Sequence, residues 1–116
     1  MPIYLDNAAT SWPKHPDMLA AMAGYLENAG GNPGRSGHSL SVAAARIVFD
    51  ARVSLAQLFG VALPEQIVFA KNATEAINTV LFGFLRSGDQ VLTTSMEHNA
   101  VMRPLRRLER DGVIVT

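Results

Sequence analysis

The second half of the sequence alternates short apolar runs with segments of helical periodicity, and no other feature constrains the fold as strongly. The apolar runs are residues 67–70 (IVFA), 90–94 (QVLTT) and 113–115 (VIV). The two stretches between them carry apolar residues at intervals of three and four, which is typical of amphipathic helices. A strand–helix–strand–helix–strand order is typical of parallel βαβ units with right-handed crossovers. The sequence therefore predicts an α/β fold with a parallel sheet.

The first half of the sequence is predicted to be mainly helical, with an irregular loop at residues 30–39 (GGNPGRSGHS). Pro16 is expected at the first position of the helix before this loop, because its fixed φ suits that position. The glycines at the start of the loop are expected to end that helix in a left-handed conformation. A longer helix follows, with Ser39 or Ser41 as its predicted N-cap and Gly60 just beyond its end.

The length of the chain limits it to one domain, and the predicted sheet indicates that this domain is incomplete. The sequence has 116 residues, below the usual size of one domain. The predicted strands are fewer than the roughly four to six that sheets commonly contain, and the last of them lies at the end of the sequence. We therefore expect an N-terminal arm at residues 1–15 and, at 16–116, the opening part of a larger α/β domain.

Composition and charge argue against several classes of function. Ten basic and ten acidic residues give a formal net charge of zero, so neither a general nucleic-acid binder nor an anionic-membrane protein is expected. The sequence has no cysteine, which excludes a disulfide, a thiolate metal site or a thiol nucleophile within it, and no metal site is expected. The N-terminal stretch lacks the basic start and the apolar block that are typical of a signal peptide, and no apolar run has membrane-spanning length, so a cytoplasmic location is expected.

Two loops follow predicted strands and should open on the same edge of the sheet, where ligands of α/β proteins bind. In the first loop, Asn72 and Glu75 form a pair similar to a capping box at the start of a helix. The free N–H groups of Ala73, Thr74 and Glu75, together with the Thr74 hydroxyl, would suit an anion such as phosphate. A helix start that is merely capped by Asn72 is the alternative, and the sequence leaves both open.

The second loop carries His98, a candidate for ring stacking, hydrogen bonding or proton transfer. A histidine bonded only to backbone is an equally good interpretation, although the expected position beside Thr74 favours function. Arg35 and His38 lie in the glycine-rich loop of the first half. A guanidinium there suits a carboxylate or a phosphate, but a solvated surface loop is the simpler interpretation.

Four segments, in this order, resemble a known family. They are residues 4–11 (YLDNAATS), 32–38 (NPGRSGH), 69–76 (FAKNATEA) and 95–101 (SMEHNAV). Together they resemble the cysteine desulfurases, which belong to the class V aminotransferase group of fold-type I pyridoxal 5′-phosphate (PLP) enzymes. The resemblance extends over essentially the whole sequence. It implies the N-terminal part of the large, three-layer α/β/α domain of that fold.

The resemblance also implies roles for individual residues. Ala73 and Thr74 match the turn that holds the phosphate of PLP. His98 matches the histidine that stacks on the pyridine ring and assists proton transfer. Asn7 and Ala8 match the N-terminal stretch that runs next to the carboxylate of the bound amino-acid substrate.

The remaining implications concern the partner subunit and the reaction. Arg35 and His38 match a loop that, in the homodimer of the family, reaches toward the active site of the other subunit. The implied reaction removes sulfur from L-cysteine to give L-alanine and an enzyme persulfide, with PLP as the electron sink. A sulfur-acceptor protein is then a further expected partner.

Residues that complete this chemistry in the family have no match in this sequence. The Schiff-base lysine, the aspartate that pairs with the pyridine nitrogen and the persulfide-forming cysteine lie beyond residue 116 in the family, and neither Lys14 nor Lys71 matches the lysine. The chain on its own is therefore expected to be inactive. A selenocysteine lyase, another class V aminotransferase, a dimerising remnant of the fold and a small phosphate-binding regulator are the alternatives.

Overall fold

The helices and strands fall into two compact units, Met1–Ile67 and Val68–Thr116. The structure is a computed structural model and describes residues 3–35 and 37–116; Ser36, inside the predicted loop, lies outside the described residues. In chain order the elements are α1 (Met18–Asn28), α2 (Ser39–Phe59), a 3₁₀ turn (Pro64–Gln66), α3 (Ala73–Phe84), β1 (Gln90–Val91), α4 (Asn99–Arg110) and β2 (Ile114–Val115).

In the first unit, α1 begins later than the sequence predicts and ends without a left-handed glycine. Pro16 lies before the N-cap, Asp17, because a turn at residues 15–18 precedes the helix, so the predicted placement of Pro16 is wrong. Neither Gly30 nor Gly31 has a positive φ, and the expected left-handed cap is also wrong. Gly31 is required for a different reason: a Cβ there would lie 2.7 Å from backbone atoms at the start of α2.

A histidine, not a serine, caps α2. The Ser41 N–H donates to Nδ1 of His38 (3.2 Å), so the predicted N-caps Ser39 and Ser41 are wrong. Ser41 is instead fully buried, and its hydroxyl donates to the carbonyl of Asn32, which holds the loop against the start of α2. The predicted end of the helix is confirmed, because Gly60 follows α2 with a φ of +66° and its N–H bonds back into the last turn.

In the second unit, β1 and β2 form a parallel pair connected by α4, which is the predicted βαβ arrangement. The register places Gln90 opposite Ile114. The ladder continues beyond the strands, since the Gly88 N–H donates to the Gly112 carbonyl (2.8 Å). α4 packs against both α3 and β2.

α4 has a buried apolar face and an exposed basic face, as its amphipathic pattern requires. Leu105 is 1% exposed and Leu108 is also buried. On the other face, the Arg106 guanidinium pairs with the Glu109 carboxylate (2.8 Å). A proline within a stretch of helical periodicity predicts a late start or an interruption of the helix. That prediction is wrong for Pro104, because α4 runs through it without a break. No helix of the described residues is both long and apolar enough to cross a membrane.

One predicted strand is absent from the described part of the chain. Residues 67–70 contain no strand, although the backbone of Ile67 is extended (φ −86°, ψ 114°) and the side chain of Val68 is largely exposed. A strand exists only through hydrogen bonds to a neighbouring strand, and the sheet of the described residues contains only β1 and β2. The observed sheet is therefore smaller than predicted, and the chain has a partial α/β fold.

Candidate functional site

Two side chains accept backbone hydrogen bonds at the N-terminus of α3. The Glu75 N–H donates to the Asn72 carboxamide oxygen (2.9 Å), and the Lys71 N–H donates to the Glu75 carboxylate (2.7 Å). The predicted capping pair is confirmed. The prediction of a free Glu75 N–H is wrong, because the cap uses this group. The N–H groups of Ala73 and Thr74 have no acceptor among the described residues. They lie at the positive end of the helix and suit an anion.

His98 is the N-cap of α4. Its backbone is extended (φ −67°, ψ 153°), and its Nδ1 accepts a hydrogen bond from the Ala100 N–H (3.0 Å). A nitrogen that accepts a hydrogen bond carries no proton, so the neutral ring has its proton on Nε2. Nδ1 of His98 is therefore bonded to the backbone, as in the alternative interpretation of this histidine. The ring is exposed, and Nε2 has no partner among the described residues, which leaves both for a ligand.

Thr74 and His98 line the same open cavity beside the starts of α3 and α4. The cavity has a volume of about 400 Å³ and also borders Asn78, Phe82 and Arg103. It therefore combines the N-terminal turn of one helix, a histidine at the N-terminus of another, an aromatic ring and a cation. Concave sites with a few convergent polar groups are typical binding sites for small molecules.

One side-chain amide joins the two helices at this cavity. Nδ2 of Asn78 donates to the carbonyl of Thr74 (2.8 Å), one turn earlier in α3, and to the carbonyl of Ala100 in α4 (3.5 Å). Because Ala100 also donates its N–H to His98, a continuous chain of hydrogen bonds connects Thr74 with the imidazole. The two predicted ligand-binding turns are thus linked through Asn78 and Ala100.

The predicted substrate residues Asn7 and Ala8 lie in the first unit, in an arm whose polar groups bond to one another. The Trp12 N–H donates to the side-chain oxygen of Asn7 (3.0 Å), and the Tyr4 hydroxyl donates to the carbonyl of Thr10 (2.9 Å). Both Asn7 and Ala8 are exposed. The Asn7 oxygen is therefore used within the arm, and its NH₂ group is the part left to bind a carboxylate.

Arg35 and His38 also lie in the first unit, in the loop before α2. His38 is committed through Nδ1 to the capping of α2, in the same way as His98 caps α4. Arg35 is exposed, and the turn before it is held by a hydrogen bond from the Gly34 N–H to the Asn32 side chain (3.0 Å). The predicted substrate residues thus belong to one unit, and the predicted phosphate turn and His98 belong to the other.

The sequence did not identify several residues that line the cavity, among them Asn78, Phe82 and Arg103. Asn78 and Phe82 follow Thr74 at successive intervals of four residues, so all three lie on one face of α3. The spacing of four residues is present in the sequence and could have identified Asn78 and Phe82 as neighbours of Thr74. Arg103 stands among several basic residues of α4, a pattern typical of a solvated helix face, and only the packing of α4 against α3 identifies it as part of the cavity.

The donors at the cavity fit two parts of PLP. Two backbone N–H groups and the Thr74 hydroxyl suit a phosphate, and the exposed imidazole of His98 suits the face of a pyridine ring. A lysine for covalent attachment is not among the described residues that border the cavity. The residues present therefore fit binding of the phosphate and the ring, but not the covalent attachment of PLP.

Comparison with known families agrees with the sequence motifs. The model of the family described as Aminotransferase class-V matches residues 3–116. The chain belongs to this family. A probable cysteine desulfurase from Synechocystis sp. is 40% identical over 106 residues, which cover 88% of this chain and 25% of that relative. Cysteine desulfurase IscS of Photorhabdus laumondii is 38% identical over 122 residues, which cover 100% of this chain and 30% of that relative.

Solved structures of the same family have a similar fold. A NifS-like protein matches with a TM-score of 0.81 and 32% identity, over 100% of this chain and 32% of its own. The apo structure of cysteine desulfurase from Thermococcus onnurineus matches with a TM-score of 0.83 and 33% identity, over 98% of this chain and 29% of its own. These similarities confirm the predicted α/β fold class. The chain spans about a quarter to a third of the length of the relatives that it matches.

Proposed function

We propose that the chain supplies the phosphate-binding turn and the ring-binding histidine of a PLP site in an enzyme of the cysteine desulfurase type. The observation that carries the proposal is that Thr74 and His98 line one cavity. α3 begins beside this cavity, with Thr74 in its first turn. The relatives named cysteine desulfurase support L-cysteine as the substrate. The product would be L-alanine, with the sulfur passed through a persulfide to an acceptor protein.

The phosphate would be held by the first turn of α3. The N–H groups of Ala73 and Thr74 and the hydroxyl of Thr74 are the donors, and the partial positive charge of the helix N-terminus adds to their attraction. Glu75 is the acidic residue of this turn, and its carboxylate is engaged by the Lys71 N–H. It therefore does not occupy the two donors that the phosphate needs.

The pyridine ring would lie against His98. The Nδ1 bond to Ala100 fixes the orientation of the imidazole, so stacking on it costs little side-chain entropy. The proton on Nε2 lets this atom donate a hydrogen bond to a ligand at the site. When bound, PLP supplies an electron sink for bonds at the α-carbon of an amino-acid substrate.

The substrate would be oriented by residues of the first unit. The NH₂ group of Asn7 and the backbone beside Ala8 would bind the carboxylate of L-cysteine. Arg35 and His38 would act across the interface of a homodimer, at the active site of the other subunit. The support for these assignments is the match of the motifs to the cysteine desulfurases, together with the exposure of Asn7, Ala8 and Arg35.

A titration monitored by NMR tests the phosphate and ring contacts. The probe is pyridoxine 5′-phosphate, which has the ring and the phosphate of PLP but no aldehyde, so it forms no adduct with lysine. We expect saturable shifts of the Ala73 and Thr74 amide signals and of the His98 ring signals. Pyridoxine without the phosphate should leave the two amide signals unchanged.

The control is a second threonine on the same helix. Thr79 does not line the cavity, so Thr79→Val should bind the probe as the unchanged chain does, whereas Thr74→Val should bind several-fold more weakly. Equal binding by both variants, or no saturable shift in the unchanged chain, would contradict the proposed function.

A further inference from the structure

The carbonyl of Ala100 lacks its ordinary helical donor. In an α-helix each carbonyl accepts from the N–H four residues later, and the residue four positions after Ala100 is Pro104, which has no N–H. Ala100 and Pro104 are both buried. A buried carbonyl without a donor destabilises the folded state, so such groups are almost always satisfied from elsewhere.

Asn78 supplies the replacement from another helix. Its NH₂ group has two hydrogens, and Nδ2 donates to the carbonyl of Thr74 (2.8 Å) and to the carbonyl of Ala100 (3.5 Å). The side chain is partly buried at the cavity. One amide group thus satisfies carbonyls of α3 and α4 together.

We propose that Asn78 is a positioning residue that sets the orientation of His98 relative to the phosphate turn at Thr74. Ala100 is held at both of its backbone groups, because its N–H donates to His98 and its carbonyl accepts from Asn78. A displacement of Ala100 relative to α3 therefore turns the imidazole away from Thr74. Pro104 makes this possible by leaving the Ala100 carbonyl free for a donor outside α4. The inference rests on the proposed function only for its effect on ligand affinity.

A purely structural role for Asn78 makes a different prediction, and Pro104 allows the two to be separated. Pro104→Ala restores an N–H within α4 that satisfies the Ala100 carbonyl. It does not restore a connection from α4 to α3. If Asn78 only satisfies the carbonyl, Pro104→Ala compensates fully for its loss. If Asn78 positions His98, Pro104→Ala restores the stability but not the orientation of the imidazole.

The experiment compares four variants by NMR and by urea unfolding. Asn78→Leu has a side chain of similar size without a donor, and it is combined with Pro104→Ala in a double variant, beside Pro104→Ala alone. The matched control is Asn28→Leu, because Nδ2 of Asn28 donates to the carbonyl of Gly24 in its own helix (3.0 Å) and to no other helix among the described residues. The readouts are the His98 ring signals, the urea midpoint and the affinity for pyridoxine 5′-phosphate.

We expect Asn78→Leu to shift the His98 ring signals and to weaken probe binding about two- to tenfold, the value of one hydrogen bond. Adding Pro104→Ala should restore the urea midpoint but neither the ring signals nor the affinity. Asn28→Leu should change neither ring signals nor affinity. If Asn78→Leu does not fold, the double variant compared with Pro104→Ala provides the same test.

Two results would overturn the inference: unchanged His98 signals in Asn78→Leu, or full recovery of signals and affinity in the double variant. If the unchanged chain does not bind the probe, the proposed function fails instead. The His98 ring signals then still decide whether Asn78 positions the imidazole.

Discussion

Gly112 approaches Ser87 so closely that a Cβ at position 112 would overlap the Ser87 hydroxyl. Gly112 also has a φ of +95°, and its carbonyl accepts the Gly88 N–H where the ladder of β1 and β2 begins. The turn from α4 into β2 therefore requires a residue without a side chain, for reasons of both backbone conformation and space.

Gly112→Ala should lower the free energy of unfolding by about 2–3 kcal/mol. An alanine is strained at the positive φ of this position, and its Cβ also overlaps the Ser87 side chain. Gly83→Ala is the matched control, because position 83 lies in α3 with open space around it. That change should raise the free energy of unfolding by up to about 1 kcal/mol. Urea unfolding followed by circular dichroism measures both, and an unchanged midpoint for Gly112→Ala would contradict the account of this turn.

His98 has two roles that substitution can separate, the N-cap of α4 and the proposed contact with a ring. His98→Asn retains a good N-cap acceptor, so its free energy of unfolding should stay within about 0.5 kcal/mol of the original, whereas His98→Ala should lose about 1 kcal/mol. Neither variant has an imidazole, and both should bind pyridoxine 5′-phosphate more weakly by the same factor. If His98→Asn binds the probe as tightly as the unchanged chain, the ring contact is wrong.

Glu75 places a negative charge in the same turn as the proposed phosphate site. Glu75→Gln keeps an oxygen that accepts from the Lys71 N–H but removes the charge. We expect the affinity for pyridoxine 5′-phosphate to rise about twofold at low salt, and the gain to disappear at high ionic strength. Glu65→Gln, in the 3₁₀ turn of the first unit, should leave the affinity unchanged. Calorimetric titration measures both, and weaker binding by Glu75→Gln would count against an anion at this turn.

Local signals predicted the helices well and one strand badly. The end of α2 at Gly60 and the start of α3 after Asn72 follow from residues next to them in sequence. Residues 67–70 have a strand-like sequence, but pairing needs a neighbouring strand, which a local pattern does not reveal. His38 and His98 were not predicted as N-caps because histidine is not among the residues that commonly have this role.

The candidate site was predictable in part. The order of predicted strands and helices was sufficient to expect Thr74 and His98 near each other, and they do line one cavity. The expected reason, a shared sheet edge, is wrong for Thr74, because residues 67–70 before it form no strand. The bond from Asn78 to Ala100 joins residues 22 positions apart, and it depends on how α3 packs against α4. Pro104 shows in the sequence only as a residue that disrupts helices, and which group then bonds to the Ala100 carbonyl depends on packing.

The chain of 116 residues should not by itself convert L-cysteine to L-alanine. It has no cysteine to carry a persulfide, and neither Lys14 nor Lys71 is among the described residues that border the cavity. We expect incubation with PLP and L-cysteine to give alanine only at the rate of PLP without protein, as measured by amino-acid analysis. Lys14→Arg and Lys71→Arg should leave this rate unchanged. Alanine formed in an amount equal to the protein, and lost in one of these variants, would show that a lysine of this chain takes part in the reaction.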